Sequence, residues 1–310
     1  MADITAAMVK ELRELTGAGM LDCKNALTDV GGDIKKAIDN LREKGLAAAA
    51  KKAGRIASEG VAHVLVSADE KTGVVVEVNS ETDFVAKNAE FRTFVDDVTN
   101  QLIVSKSGTL EAFMAEKWSA EPQYTVTEAL SQKIAVIGEN LNIRRFDKIE
   151  ATDGSFFATY IHGGGKMAVL LLVESTVVND DVRAAAKNIC MQIAALTPKY
   201  VSRNEIDADF LDKEREILKT QALNENTGKP VNVIEKMVEG RLNKNLKEIC
   251  LLDQQYVKDQ DITVAQYVAQ VAKENGAEIS LKSFVCYERG EGIEKKEENF
   301  ADEVNKAING

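Results

Sequence analysis

The sequence predicts an α+β protein: an N-terminal bundle of three short helices, two related subdomains that each lay a covering helix on an antiparallel sheet, and a protruding antiparallel helical hairpin. Three observations predict it. Apolar residues recur at helical spacing through the first 45 positions and give way near residue 61 to runs of β-branched residues. The hairpin-plus-helix plan that starts there returns about 95 positions later. Beyond Pro198 two long apolar stripes are separated by "NTGKP", a turn signal.

Thr5 can cap a first helix in which Met8, Val9, Leu12 and Leu15 repeat at helical spacing before "TGAGM" breaks it. A second, about residues 19 to 29, offers Met20, Cys23, Ala26 and Leu27, and Gly31 and Gly32 end it. Asp33 can cap a third, whose Ile34, Ala37, Ile38 and Leu41 form a stripe before Gly45. Helices this short need each other, and a unit so small cannot enclose a substrate cavity, which suits a docking module. "GLAAAAKKAGRIASEG", residues 45 to 60, joins helix formers and three positive charges between glycines and reads as a helical linker.

"VAHVLVS" and "GVVVEVNS", separated by "ADEKT", fit a hairpin, and the helix after it presents Phe91, Phe94, Val95 and Val98 to the sheet. "SGTLEAFMAEKW" and "TVTEALSQKIAVIGENLNIRR" supply further helix and the start of a strand. The glycine in "VIGENLNIRR" marks a helix end, so Ile137 to Asn140 form a turn that faces solvent. "FFATYIHGGGKMAVLLLVES" is the second hairpin, turning at Gly163, Gly164 and Gly165, and its helix presents Ala186, Ile189 and Ile193. Where the first copy reads "TDFV" at 82 to 85 the second reads "VVND"; a purely scaffold role would tolerate that difference, yet it also marks the first copy as carrying something that the second lacks.

Residues 204 to 225 carry Ile206, Phe210, Leu211, Ile217 and Leu218, and 231 to 249 carry Ile234, Met237, Val238, Leu242, Leu246 and Ile249, a hairpin with charged outer faces. "ITVAQYVAQVAKENG" follows as a helix, "ISLKSFVCYERGEG" as a strand able to complete the second sheet, and "NFADEVNKAI" as a short closing helix. The expected domains are 1–45 for docking, 46–60 as linker, 61–140 as the first core subdomain and 141–203 with 250–290 as the second. Residues 204–249 form the hairpin and 291–310 a C-terminal module.

A chain of 310 residues with 45% apolar content buries a substantial core in two or three domains. Fifty acidic against 39 basic side chains give a net charge of -11, so no global positive field recruits phosphates. The basic stretch around Lys51, Lys52 and Arg55 has no interleaved aromatic residue for base stacking, which weighs against the rival reading, an RNA or ribosome assembly adaptor. Four cysteines lie too far apart for a short zinc signature, and "MADITAAMVKELREL" lacks the apolar core of a signal peptide. No apolar run reaches the roughly 18 to 20 residues that span a bilayer. The expectation is a soluble cytoplasmic protein with reduced thiols.

The residues offer little for catalysis. His63 lies within a strand, His162 sits at an exposed turn, and no Ser, Cys or Asp pattern repeats around either. "HGGGKM" is no phosphate loop, because Met167 stands where Ser or Thr must reach magnesium and the glycines join two strands. Asp83 beside Glu81 does not make an octahedral metal site. Either Thr82 or Asp83 can cap the helix that begins near Phe84. For Phe84 itself the pattern favours burial under the sheet, and the alternative is an exposed aromatic anchor for a partner's pocket.

Five stretches in order carry a resemblance: "LRELTGAGMLDCKNAL", with Arg13, Thr16, Gly17, Gly19, Met20, Asp22, Cys23 and Lys24, then "EVNSETDFVAKN", "IGENLNIRR", "YIHGGGKMAVLL" and "GEGIEK". From end to end the chain resembles the bacterial elongation factor Ts family. The resemblance implies a ubiquitin-associated-like N-terminal domain, a two-part core, a coiled-coil hairpin and a short C-terminal module. It also implies guanine nucleotide exchange on elongation factor Tu, the GTPase that delivers aminoacyl-tRNA to the ribosome, with no covalent chemistry and no cofactor on this chain. Asp83 and Phe84, flanked by Thr82 and Val85, would wedge at the partner's magnesium and GDP region, and Ile137 and Gly138 would approach its nucleotide-binding face. Met20 and its neighbour Arg13 would contact the GTPase domain, and His162 would help hold the remaining domains. No specific nucleic acid and no membrane is implied, and self-association through the arm is left open. Two departures stand out. Lys166 takes a place where arginine is common, keeping the charge without the planar fork, and Gln255 one where proline is common.

Overall fold

The computed structural model describes residues 4–225 and 230–294. Most of the expected "NTGKP" turn, the closing helix and nearly all of the C-terminal module lie outside the described residues. The described chain forms two compact units, one from residues 1–63, 76–146 and 288 onward, the other from 64–75 and 147–287. The architecture is mixed α+β, with many helices and small sheets.

The Thr5 hydroxyl accepts from Met8 N at 3.3 Å and starts α1, Ala6–Thr16, which ends at Gly17. Helix α2 is Met20–Asp29, and α3, Ile34–Lys52, is capped by the Asp33 carboxylate accepting from Lys36 N at 3.1 Å. Leu12, Cys23, Ala26, Leu27 and Ala37 make the buried core of these helices, flanked by Met8, Val9, Ile34, Ile38 and Leu41. Leu15 and Met20 depart from the expected stripes and are exposed. Both stand at helix ends beside the Gly17–Gly19 turn, on the side away from the core to which Leu12, Ala18 and Cys23 turn.

Helix α3 does not end at Gly45, and residues 53–58 are not helical. A helical glycine costs only about 1 kcal/mol against alanine, too little to stop a helix that continues into "LAAAAKK". Gly45 is buried against α7, Val126–Ile137, where a Cβ would stand 3.8 Å from Ala135 Cβ. The α3–α7 contact is reinforced by Arg42, which pairs with Glu128 and lies 5.6 Å over the Tyr124 ring. Glu128 also completes a capping box with Thr125.

The first sheet has the order β1-β2-β3, with β1 Glu59–Val66, β2 Thr72–Ser80 and β3 Asn142–Glu150. After β2 come α4, Asp83–Lys87, and α5, Ala89–Val104. Helix α5 buries Phe91, Phe94, Val95 and Val98 as its spacing predicts, and the Phe94 ring lies 5.6 Å from Trp118. Helix α6 is Leu110–Ala115. Glu77, inside the valine run of β2, is fully buried. Its carboxylate accepts from Asn79 Nδ2 (3.0 Å), Gly290 N (2.7 Å), Arg144 Nη1 (3.0 Å) and Arg145 Nε (2.6 Å). Burial pushes its pKa up, and these bonds outweigh burial and hold it below the usual carboxylate range.

In the second unit β4, Ser155–His162, pairs antiparallel with β5, Met167–Ser175, in a register running from Ser155 opposite Glu174 to His162 opposite Met167. Strand β8, Ile279–Glu288, completes the sheet in the order β4-β5-β8, as its alternation predicts. Helix α8, Asp180–Leu196, and α11, Val264–Glu274, bury Val182, Ile189, Ile193 and Val268 in one core with Phe156, Leu171, Val173 and Leu281. The hairpin helices are α9, Ala208–Glu225, and α10, Val231–Ile249. They share a separate core of Ile206, Leu218, Ala222, Ile234, Val238, Leu242, Leu246 and Cys250. Ile217 is exposed, and Ala222, one turn after Leu218, takes the inward place. Strands β6, Gln255–Tyr256, and β7, Asp259–Thr263, were not foreseen, being too short to show alternation. Among the described residues no helix is long and apolar enough to cross a membrane.

Two glycines of the first unit should respond oppositely to alanine. Gly45→Ala should raise stability by about 0.5–1 kcal/mol, since its site is helical and has room for a methyl group. Gly60 has φ 120°, and a Cβ there would stand 2.2 Å from Val78 O. Gly60→Ala should therefore cost more than about 1 kcal/mol. Urea unfolding of the two variants beside the parent checks both signs.

Candidate partner-binding site

Strand β2 ends at Ser80, and the chain turns at once into the short helix α4. Thr82 is the cap, its hydroxyl accepting from Val85 N at 3.3 Å, which decides between the two candidates. Asp83 is left free to accept from Lys87 Nζ at 2.6 Å, one helical turn on. That bond holds the Asp83 pKa below the usual carboxylate range. Phe84 is not buried under the sheet. The following residues instead turn inward, Ala86 into the core and Phe91 after it, and Phe84 is 82% exposed. Val85 is half-buried.

A second turn meets this one within the same unit. Helix α7 ends after Ile137 at Gly138, whose φ of 87° is the left-handed conformation that favours glycine. Ile137 is half-buried and Gly138 exposed, while Asn140, expected to face solvent, is buried. The reason is hydrogen bonding. Asn140 N donates to Glu81 Oε1 at 2.6 Å and Asn140 Nδ2 to Arg55 O at 2.8 Å. In the reverse direction the Glu139 carboxylate accepts from Glu81 N (3.1 Å), Thr82 N (3.0 Å) and Thr82 Oγ1 (2.6 Å). Glu139, Glu81 and Asn140 thus join the residues at 82–85 to those at 137–138. Sequence reasoning considers Glu81 only as a metal ligand and Asn140 only as the end of a turn, and it passes over Glu139, although all three lie inside stretches it singles out.

The second unit shows what the first has added. Ser80 Oγ donates to Thr82 O at 3.0 Å at the end of β2, and Ser175 Oγ donates to Val177 O at 2.6 Å at the end of β5. From there Asn88 caps α5 eight positions after Ser80, whereas Asn179 caps α8 four positions after Ser175. The extra length is helix α4 with Phe84 on it.

The other expected site residues lie elsewhere. Arg13 and the 63% exposed Met20 share an open groove of about 610 Å³ with Ile4, Val9, Lys10 and Lys24. His162 belongs to the second unit, exposed at the β4–β5 turn, with its Nδ1 3.0 Å from the Tyr160 hydroxyl. His63 is half-buried, 3.5 Å from Asp96, and burial pushes its pKa down. The glycines 163 to 165 form the hairpin turn between β4 and β5, with Gly165 N and Lys166 N donating to His162 O. Among the described residues no three of His, Cys, Asp or Glu gather as a metal site.

The Asp83–Lys87 pair makes a testable statement about pH. A depressed carboxylate favours the folded helix above its unfolded pKa, and the contribution is lost as pH falls through the folded pKa. In Lys87→Ala the Asp83 carboxyl resonance should titrate at higher pH than in the parent, back toward the ordinary carboxylate range. Carbon NMR across acidic pH measures both midpoints, and equal midpoints would show that Lys87 is not the cause.

A family model described as "Elongation factor TS" matches residues 81–291. The elongation factor Ts of Clostridium kluyveri is 51% identical over 307 residues, 99% of each chain. That of Clostridium acetobutylicum is 50% identical over 305 residues, 98% of each chain, and that of Clostridioides difficile 51% over 308 residues, 99% of this chain and 100% of its own. The agreement runs the length of the chain, and the matched model takes in the Phe84 turn, the Gly138 turn and the helical hairpin together: the chain belongs to the elongation factor Ts family.

Proposed function

We propose that Thr82–Val85, with Ile137 and Gly138 beside them, form the surface with which this chain opens the nucleotide site of its partner. As a family member the chain promotes GDP release from elongation factor Tu in translation elongation, acting as an exchange factor and not as an enzyme. Exchange needs no covalent step. A factor that binds the nucleotide-free partner more tightly than the nucleotide-bound one must, by linkage, weaken nucleotide binding by the same factor.

The observation that carries the residue-level reading is the exposure of Phe84 on a short helix whose start is held by hydrogen bonds. Leaving a phenylalanine ring in water forgoes roughly 1.5–3 kcal/mol of burial, and an apolar pocket on a partner recovers it. In this reading the ring enters a gap in the GTPase and displaces elements that support magnesium, while Asp83 contacts or orients nearby helix ends. Loss of magnesium removes charge that neutralises the diphosphate, and GDP leaves. The magnesium and the nucleotide belong to the partner. Ile137 and Gly138 approach the nucleotide-binding face, the groove at Arg13 and Met20 takes the GTPase domain, and His162 takes part in holding the remaining domains. Arg55, which would anchor a basic RNA-binding patch with Lys51 and Lys52, instead lies 3.5 Å from Glu81, and this favours the exchange reading over the RNA adaptor.

The finer architecture belongs to the same proposal. Residues 1–45 are a ubiquitin-associated-like docking domain on the linker 46–60, and 61–140 and 141–203 with 250–290 are the core subdomains. Residues 204–249 are a coiled-coil arm.

Phe84→Ala tests the reading. At subsaturating factor and with excess magnesium it should slow factor-stimulated GDP release by about 10- to 100-fold, the range of an interface hot spot. Unfolding free energy should stay within about 0.5 kcal/mol of the parent, as for an exposed side chain. Unchanged exchange would remove the wedge, and a loss of about 3–5 kcal/mol in stability would return the ring to the core.

A further inference from the structure

An exposed ring has no packing to aim it. Its direction is set by the backbone that bears it, so whatever holds residues 81–85 also sets where Phe84 points. The Glu139 carboxylate takes three bonds from Glu81 N, Thr82 N and Thr82 Oγ1, and the Glu81 carboxylate returns one from Asn140 N. The Thr82 hydroxyl has a single proton. With that proton given to Glu139 at 2.6 Å, its lone pairs are turned toward Val85 N, and the same bond that ties the two turns orients the cap of the helix carrying Phe84. Glu139 can reach back because Gly138 reverses the chain in the left-handed conformation immediately before it. Both carboxylates are partly buried and already accept backbone donors, an arrangement for holding and not for contacting a partner.

We infer that Glu139 and Glu81 are positioning residues for nucleotide exchange: their reciprocal carboxylate-to-backbone bonds fix the Phe84 turn against the Gly138 turn, so that ring and turn are presented to the GTPase in one geometry. The inference rests on the reading of Phe84 as the group that enters the partner. It goes beyond that reading by assigning to Glu139 an effect on exchange that passes through Phe84, without contact between Glu139 and the nucleotide site.

A double-mutant cycle in the full chain tests it, using release of labelled GDP from elongation factor Tu. Glu139→Ala should lower the maximal exchange rate by about tenfold while moving the half-saturating factor concentration much less, because other surfaces still bind. In the Phe84→Ala background the same change should add no more than about twofold, since two residues acting as one unit are not additive. Glu139→Gln, which keeps one acceptor oxygen, should fall between parent and Glu139→Ala. It also serves if the alanine variant folds poorly. Amide hydrogen exchange supplies a readout that a general loss of stability would not give: Thr82 and Val85 should lose protection in Glu139→Gln while Val76 and Val78 keep theirs. Normal exchange by Glu139→Ala beside a slow Phe84→Ala would overturn the positioning role alone. Full additivity of the two changes would do the same. Normal exchange by Phe84→Ala would instead overturn the wedge on which the inference stands.

Discussion

A buried carboxylate organises the first unit. Glu77 sits without solvent exposure in a strand otherwise read as valines, and its charge is tolerable there only because Asn79, Gly290, Arg144 and Arg145 all donate to it. Those donors come from the same strand, from β3 and from the turn after β8, so one charge ties three backbone segments together. Arg144 and Arg145 extend the network by donating to Glu291 O and Glu288 O. Removing Arg144 or Arg145 would leave that buried charge less compensated, an outcome more costly than losing a surface ion pair. Three residues beyond Glu77, β2 ends at Ser80, where the chain leaves the sheet toward Phe84.

From that fixed strand end the chain spends rigidity to keep an apolar group in water. Thr82 caps α4, Glu139 and Glu81 cross-link two turns, and Lys87 closes on Asp83, all around a side chain that touches little of its own protein. The second unit has the same strand end, with the Ser175 hydroxyl bonded as the Ser80 hydroxyl is, yet it moves directly into its covering helix. Among the described residues the first unit places an exposed phenylalanine on a short helix held by hydrogen bonds, while the second passes from its strand end to the cap of α8 within four positions. Under the proposed reading this rigidity has a physical use, because a wedge that deforms a partner must itself resist deformation.

Periodic features were legible in the sequence. The stripes of α5, α8 and α10 follow from residue spacing, because burial on one face leaves a repeat that can be counted, and β4 and β5 follow from apolar runs on either side of a glycine turn. Features that depend on particular neighbours were not. Gly45 reads as a helix end in the sequence but lies inside α3 against α7, and Leu15 and Ile217 fit their stripes yet are exposed. Phe84 has the composition of a core residue, and only the turn built by Thr82 shows it facing outward. The Glu139–Thr82 and Glu81–Asn140 bonds join residues nearly 60 positions apart, a separation at which no local pattern couples one to the other. Activity and partner came through motif resemblance and relatives, not through any chemistry that spacing could reveal.

The central claim is that one aromatic ring is solvated in the free chain and buried in the partner. Fluorine-labelled phenylalanine at position 84 addresses it directly, through the difference in its resonance between light and heavy water. The account predicts a solvent isotope shift near that of an exposed ring for the free chain, and its loss when nucleotide-free elongation factor Tu is added. A ring that shows no isotope shift in the free chain, or one that keeps its full shift in the complex, would contradict it.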